Sequence, residues 1–156
     1  IGKSTAYAFA KEGADLIISA RRFDRIEVIA DDISEKYGVN VLPLELDITQ
    51  RDKVQKIVNT LPEQFAKIDI LVNNAGLGRG LNKIYEDDPK GWDEMIDTNI
   101  KGLLNVTRYV VPGMVKRGSG HVINIGSIAG HQAYGGGAVY CATKHSVKAI
   151  TESMRI

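Results

Sequence analysis

Three side chains in the last third of the sequence have types and spacings that suit proton transfer. Tyr140 and Lys144 are four residues apart, so both side chains lie on one face if this stretch is helical. A free tyrosine has a pKa of about 10 and exchanges protons poorly near neutrality, but a neighbouring ammonium favours the phenolate and lowers that pKa. Ser127 lies upstream, where its hydroxyl could hold a substrate oxygen beside the phenol. The set suits acid/base chemistry at a carbonyl or alcohol oxygen.

Taken alone, a tyrosine and a lysine at this spacing are more typical of a solvated or packing pair on a helix. Cys141, beside Tyr140, is more typical of a small buried side chain than of a nucleophile, because no obvious base partners it. The interpretation of the pair therefore depends on the elements that position it.

The apolar pattern alternates between short strands and amphipathic helices. Strands are predicted at residues 16–20, 41–46, 70–72 and 122–125, the second less clearly because it contains Pro43. Helices are predicted at residues 4–12, 24–36, 52–66 and 92–116, and from about Tyr140 onward. This alternation predicts an α/β fold over residues 1–156, a single domain with a doubly wound parallel sheet covered by helices on both faces.

Polar residues follow each predicted strand. They are Arg21 and Arg22 after the first, Asp47 after the second, Asn73 and Asn74 after the third, and Ser127 after the fourth. Ligands of open α/β sheets bind outside the carboxyl ends of the strands. The sequence therefore predicts a ligand-binding rim, with glycine-containing loops at residues 76–89 and 135–137 around it.

The longest predicted helix contains a polar residue within its apolar face. The apolar stripe consists of Trp92, Met95, Ile96, Leu103, Val106 and Val110. Asn99 falls in the middle of this stripe and should be hydrogen-bonded internally, because an unpartnered buried amide is costly. The pattern leaves open whether Asn99 ties down a loop or belongs to a proton or water network near the rim.

The composition argues against several classes of partner. The 20 Lys and Arg nearly balance the 19 Asp and Glu, so no basic excess indicates nucleic-acid binding. The longest apolar runs are far shorter than a membrane span, and the first residues lack the pattern of a signal peptide. One cysteine permits no internal disulfide, which fits the cytoplasmic location that we expect. No metal site is expected.

In their order and spacing, the polar residues resemble the motifs of the short-chain dehydrogenase/reductase family, whose fold is Rossmann-like. The resemblance spans essentially the whole chain and rests on Asn73-Asn74-Ala75-Gly76, Asn99, Ser127, and Tyr140 with Lys144. It implies that Tyr140 is the catalytic acid/base, that Lys144 lowers its pKa and binds the nicotinamide ribose, and that Ser127 orients the substrate oxygen. It further implies that Asn99 holds a water in the proton relay.

The resemblance also implies a set of cofactor-binding residues. They are Asn73, Ala75 and Gly76 in the turn beside the adenosine, Asp47 at the adenine, and Gly2 at the end of a glycine-rich phosphate loop, together with Tyr140 and Lys144.

The residues after the first predicted strand favour NADP over NAD. NAD enzymes usually carry an acid at this point to bind the ribose hydroxyls. Here Ala20 stands in that position, followed by Arg21 and Arg22, and a guanidinium binds a 2′-phosphate that a carboxylate would repel. The alternative is that the arginines are a solvated charge pair at the start of the next helix.

The substrate prediction rests on finer likeness. Residues 97–99, 111–114 and 127–140 resemble the branch that acts on small 3-hydroxy acids such as serine and 3-hydroxyisobutyrate. His131 is a candidate for binding a substrate carboxylate, although a loop histidine is more often a bystander. The alternatives are a 3-oxoacyl carrier-protein reductase with a longer groove, and a non-catalytic piece that retains the motif residues. We expect a small hydroxy or keto substrate, and neither nucleic acid nor membrane as a partner.

Compared with the family pattern, the chain is shortened at both ends. It begins at Ile1 and Gly2, which resemble the tail of the phosphate loop, so the family's first strand is missing, and it stops at Ile156, before the last strands. Without the first strand, its two neighbours would expose unpaired edges. We therefore expect residues 1–156 alone to be poorly stable and to bind cofactor weakly. Tight NADP binding by this segment would contradict that expectation.

The resemblance finally implies a homodimer or homotetramer that assembles through the helices at residues 92–116 and 140–156. Ile100 and Leu104 lie on a flank of the first helix, away from its core stripe, where a twin subunit would cover them.

Overall fold

Four parallel strands form the framework of the molecule. The computed structural model describes residues 1–155, and its strands are β1 (Leu16–Ala20), β2 (Val41–Glu45), β3 (Ile70–Asn73) and β4 (His121–Asn124). β1 pairs with β2, with Leu16 opposite Val41, and β3 pairs with β4, with Ile70 opposite His121. All four predicted strands are confirmed to within one residue.

Helices alternate with these strands, as the sequence predicts. Within residues 1–155 they are α1 (Gly2–Lys11), α2 (Phe23–Tyr37), α3 (Arg51–Asn59), α4 (Glu63–Ala66), α5 (Pro89–Ile96), α6 (Leu103–Arg117) and α7 (Ala138–Ser153). The single helix predicted at residues 52–66 is wrong, because Pro62 adopts an extended conformation (φ −53°, ψ 145°) and separates α3 from α4. Ile156, the end of the predicted last helix, lies outside the described residues.

The two strand pairs are separate sheets. Within residues 1–155, no backbone ladder joins β1 to β3, so an edge of each pair lacks a neighbouring strand, as the sequence predicts. Pro43 is compatible with β2 because this strand has β1 as its only partner in the described part of the chain, and an edge strand tolerates a residue without an N–H.

The helices α1 and α2 pack on the β1–β2 pair. Ala6, Ala10 and Ile33 form a buried cluster, and Leu16 and Val41 of the strands pack against it. Ile33 has no exposed surface, so α2 presents its apolar face to the sheet and its charged residues to solvent.

A long helical segment from residue 89 to 117 crosses the molecule with an interruption. Asp88 caps α5 by accepting a hydrogen bond from the Lys90 N–H, and Gly118 ends α6 in the left-handed conformation. Between α5 and α6 lies a π-helical turn, Asp97–Gly102. The wider turn changes the phase of the helix. Ile96 of the predicted stripe, at the end of α5, is 37% exposed and is not part of the core.

The loop after β2 is tied to this long segment. Asn105 Nδ2 donates to the Ile48 carbonyl at 2.9 Å, and a Cβ on Gly102 would lie 2.6 Å from Ile48 Cδ1. The carboxyl end of β2 is thereby held against the start of α6.

None of the helices described within residues 1–155 combines the length and hydrophobicity that a membrane crossing requires.

Candidate functional site

Tyr140 and Lys144 lie on one face of α7, as their spacing predicts. Because α7 begins at Ala138, Tyr140 belongs to its first turn and Lys144 to the next. The Tyr140 side chain is half-buried, whereas Lys144 is only 7% exposed. Tyr140 can therefore meet a ligand while Lys144 stays behind it.

The ammonium of Lys144 is held at the carboxyl end of β4. Its Nζ donates a 2.8 Å hydrogen bond to the carbonyl of Ile125, the residue after that strand. Within residues 1–155 no carboxylate forms an ion pair with it, and burial lowers the pKa of Lys144 below its ordinary value. The site thus contains a poorly solvated positive charge.

Ser127 stands between β4 and a short 3₁₀ turn, Ile128–Gly130. Its Oγ accepts a 3.2 Å hydrogen bond from the Ala129 N–H, which leaves the hydroxyl proton for another acceptor. Beside it is a cavity of about 330 Å³ that also reaches Tyr140. The lining residues are Ser127, Ile128, Ala129, Gln132, Ala133, Tyr134 and Tyr140. Ser127 and Tyr140 are therefore brought to the same space.

A second cavity, of about 360 Å³, also reaches Tyr140. It is lined by Gly78, Arg79, Gly80, Leu81, Tyr134 and Tyr140. Both cavities share the two tyrosines, so the Tyr140 phenol is reached from two open spaces.

Asn99 is buried in the π-helical turn and fully hydrogen-bonded. Its Oδ1 accepts from the Leu77 N–H at 2.8 Å, and its Nδ2 donates to the Leu77 carbonyl at 2.8 Å and to Thr143 Oγ1 at 3.0 Å. Asn99 therefore ties down the loop after β3, which is one of the two possibilities left open by the sequence, and it also contacts the helix that carries Tyr140.

Glycines after β3 allow that loop to approach the site closely. A Cβ on Gly76 would lie 3.1 Å from Asn99 Oδ1 and 3.6 Å from Lys144 Nζ, and a Cβ on Gly78 would lie 3.3 Å from Tyr140 Cδ2. The loop backbone therefore covers the Tyr140 ring where a larger residue would crowd it.

Asn73 and Ala75 both belong to the Asn73–Gly76 motif, but Asn73 is buried whereas Ala75 is exposed. The Asn73 amide is buried, and its Nδ2 donates to Asn124 Oδ1 at 2.9 Å and to Thr107 Oγ1 at 3.1 Å. Asn73 thus ties β3 to β4 and α6, while Ala75 is exposed at the rim. The start of α1 reaches the motif as well, since a Cβ on Gly2 would lie 2.6 Å from Asn74 Nδ2.

The predicted rim residues of β1 and β2 form a second group. Arg21 and Arg22 are exposed, and within residues 1–155 neither forms an ion pair. Partial burial acts to raise the pKa of the Asp47 carboxyl. Hydrogen bonds from Thr49 N (3.0 Å) and Oγ1 (2.7 Å), together with the charge of Arg21, outweigh it and hold this pKa below its ordinary value.

The sequence prediction missed several residues of the site, among them three with polar side chains. Gln132 and Tyr134 line the cavity beside Ser127, whereas the proposed His131 is exposed and is not among the lining residues. Thr143 is buried and contacts Asn99. Its position three residues after Tyr140 was the available signal, because such a residue shares a helix face with Tyr140.

Comparison with known proteins gives the family. The family model described as short chain dehydrogenase matches residues 1–156. An NADP-dependent 3-hydroxy acid dehydrogenase of Schizosaccharomyces pombe is 42% identical over 156 residues, covering 99% of this chain and 60% of the relative. The NADP-dependent 3-hydroxy acid dehydrogenase YdfG of Salmonella typhimurium is 43% identical over 154 residues, with the same coverage. The chain thus spans about 60% of the length of these relatives.

Solved structures confirm the Rossmann-like α/β fold. Serine dehydrogenase from Escherichia coli superposes with a TM-score of 0.91 at 41% identity, covering 96% of this chain and 68% of that one. The closed form of serine dehydrogenase complexed with NADP⁺ gives a TM-score of 0.89 at 39% identity, covering 99% and 60%. With the match to the family model over all 156 residues, these likenesses identify the chain as a member of the short-chain dehydrogenase family.

Proposed function

We propose that this chain forms part of an oxidoreductase that transfers a hydride between NADP(H) and a carbonyl or secondary alcohol, with Tyr140 as acid/base. The observation that carries the proposal is the shared cavity of Tyr140 and Ser127, with the buried Lys144 amine one helical turn behind the phenol. A substrate oxygen in that cavity meets a hydroxyl that can orient it and a phenol that can exchange a proton with it.

Each residue of the chain has a separate task in this reaction. When bound, NADPH supplies the hydride. Tyr140 donates its phenolic proton to the substrate oxygen in reduction and accepts it in oxidation, while Ser127 holds that oxygen by its hydroxyl. The Lys144 ammonium stabilises the phenolate left after proton donation, and its poor solvation strengthens that attraction. Asn99 fixes the surrounding loop, near the point where a water in the proton relay would lie.

The rim residues fit a phosphorylated dinucleotide. Arg21 and Arg22 present exposed guanidinium groups after β1, which suit a 2′-phosphate, and Asp47 after β2 offers a carboxylate to an adenine. The glycines at positions 2 and 76 allow the side chains of Asn74 and Asn99 to pack against the backbone of this region. Asn73 supports this region through β3 and β4, and Ala75 lies exposed beside it. NADP is the proposed cofactor because the two relatives described above are named NADP-dependent.

The proposed substrate is a small 3-hydroxy acid. The two curated relatives carry that activity in their names, and the cavity beside Ser127 brings the Ser127 and Tyr140 side chains to one space. A 3-oxoacyl carrier-protein reductase would instead need a groove for a long chain, and a non-catalytic piece would need no acid/base. A panel of small keto acids and a 3-oxoacyl thioester separates these alternatives.

The proposed assembly is a homodimer or homotetramer through α5–α6 and α7, which lie side by side. Leu104 is 43% exposed on the outer face of α6.

The decisive test replaces Tyr140 by phenylalanine in the protein and measures NADPH oxidation with small keto acids. Removal of the acid is expected to lower kcat by about 10²–10⁴-fold, with NADPH affinity unchanged. Tyr109→Phe is the matched control, because Tyr109 lies on α6 and its hydroxyl makes only a 3.4 Å contact with Gln55. Near wild-type turnover by the Tyr140 variant would refute the acid/base assignment, and tighter binding of NADH than of NADPH would refute the cofactor.

A further inference from the structure

Thr143 is a buried polar residue between the two chemically active residues of α7. It is 1% exposed, and its hydroxyl makes two hydrogen bonds. Its Oγ1 donates to the Tyr140 carbonyl at 2.8 Å and accepts from Asn99 Nδ2 at 3.0 Å. The function proposed above gives this hydroxyl no task, although it contacts the backbone of the residue that would transfer the proton.

The direction of every hydrogen bond in this network is fixed by the chemistry of its members. The Leu77 N–H can only donate, so the atom facing it must be Asn99 Oδ1, and the two Nδ2 protons go to the Leu77 carbonyl and to Thr143. The Thr143 hydroxyl must then give its own proton to the Tyr140 carbonyl. Neither a flipped amide nor a rotated hydroxyl satisfies all four bonds.

The network reaches Tyr140 from two sides. It ends on the Tyr140 carbonyl through Thr143, and at its other end it fixes Leu77, whose neighbour Gly78 lies against the Tyr140 ring. Thr143 therefore holds the backbone of Tyr140, and the loop at Leu77 and Gly78 lies against its ring. Both are joined through Asn99.

We propose that Thr143 is a positioning residue, whose hydroxyl sets the orientation of the Tyr140 phenol by joining α7 to Asn99. The proposal rests on the function proposed above. Ordinary threonines in helices back-bond to a carbonyl without consequence for a distant site. Thr143 differs because its partners are the acid/base residue itself and the amide that fixes the loop over the ring.

The chain offers a closely matched control on the same helix. Thr151 Oγ1 also donates to a helix carbonyl, that of Val147 at 2.7 Å, and also accepts from an asparagine amide, Asn124 Nδ2 at 2.9 Å. It lies eleven residues after Tyr140, about three turns along α7. Thr151→Val therefore removes an equivalent pair of hydrogen bonds away from the phenol.

The experiment compares steady-state kinetics and Tm for Thr143→Val, Thr143→Ser, Thr151→Val and Tyr140→Phe. We expect Thr143→Val to lower kcat by about ten- to a hundredfold, with KM for NADPH and keto acid nearly unchanged. Thr143→Ser should keep kcat near the wild-type value, because serine retains the hydroxyl. Thr151→Val should lower Tm to a similar extent and leave kcat intact. If Thr143→Val does not fold, Thr143→Cys, with a weakly bonding thiol of similar size, should show the same selective loss.

Four results would overturn the proposal. Wild-type kcat in Thr143→Val beside an inactive Tyr140→Phe would refute the positioning role alone. Equal losses of kcat in Thr143→Val and Thr151→Val would show that Thr143 has only a structural role. A Thr143→Ser variant with the low kcat of Thr143→Val would show the same. An active Tyr140→Phe would instead refute the proposed function, and the role of Thr143 with it.

Discussion

Two ionisable side chains on the rim have lowered pKa values for different physical reasons. Burial lowers the pKa of Lys144 because a poorly solvated ammonium is disfavoured, and this charge costs stability. The pKa of Asp47 is lowered against the effect of burial, because the Thr49 hydrogen bonds and the Arg21 charge favour the carboxylate. The Lys144 charge therefore costs stability in the fold, whereas the Asp47 charge contributes stability to it.

The Asp47 shift predicts a stability difference that depends on pH. The folded pKa lies below the unfolded value of about 3.9, so the carboxylate stabilises the fold above that pH, and this stabilisation disappears as pH falls through the folded pKa. Asp47→Asn keeps an Oδ1 acceptor for Thr49 but loses the charge. We expect its Tm to lie below that of the wild type at pH 6, with the difference narrowing as pH falls below the unfolded pKa of about 3.9. A Tm difference that is constant across this range would contradict the prediction.

At the scale of elements, the site depends on close contacts between backbones. The 3₁₀ turn after Ser127 lies directly on α7, since a Cβ on Gly130 would be 2.6 Å from the Lys144 carbonyl. Ser127 and Tyr140 belong to these two elements, so their separation is set by a contact that only glycine permits.

Gly130→Ala is therefore expected to push the 3₁₀ turn away from α7. Overpacking of this kind costs about 1–3 kcal/mol, which should lower Tm, and displacement of Ser127 should lower kcat as well. Gly126→Ala is the control for stability, because a Cβ there would meet no atom within 4 Å. Differential scanning calorimetry with steady-state kinetics measures both effects, and a Gly130→Ala protein with unchanged Tm and kcat would exclude this spacing role.

Elements whose patterns are local could be predicted from the sequence, and contacts through space could not. The strands follow from short apolar runs, and the Tyr140–Lys144 face follows from the helical period of 3.6 residues. Pro62 is also visible in the sequence, but the helix predicted at residues 52–66 runs through it. The π-helical turn and the bond from Asn99 to Thr143 depend on how α5–α6 meets α7, and no short window of sequence contains that geometry.

At the scale of the whole molecule, the chain presents helices with apolar flanks and strand pairs with free edges. Leu104 on α6 is 43% exposed, and α7 lies beside α5 and the π-helical turn. Exposed leucines occur singly on most proteins, so this surface becomes meaningful only through the assembly proposed for the α5–α6 and α7 helices.

Leu104→Lys tests that assembly. A charge at the centre of an apolar contact between copies should favour dissociation, because a buried ammonium without a partner is costly. We expect sedimentation velocity to show a smaller species than the wild type at equal concentration. Val28→Lys on α2, where valine is 68% exposed, should leave the mass unchanged. An unaltered sedimentation coefficient for the Leu104 variant would place any interface elsewhere.

The π-helical turn at Asp97–Gly102 makes the segment from α5 to α6 more sensitive to the number of residues in the turn than to their types. Loss of a single residue there would convert the turn to α-helix and leave α5 and α6 in nearly the same relative orientation, because the wider turn absorbs one extra residue. The displacement would fall on the turn itself and move Asn99 away from Leu77 and Thr143, although every group that bonds to it was still present. Among related chains, one-residue deletions in this turn should therefore be far rarer than substitutions.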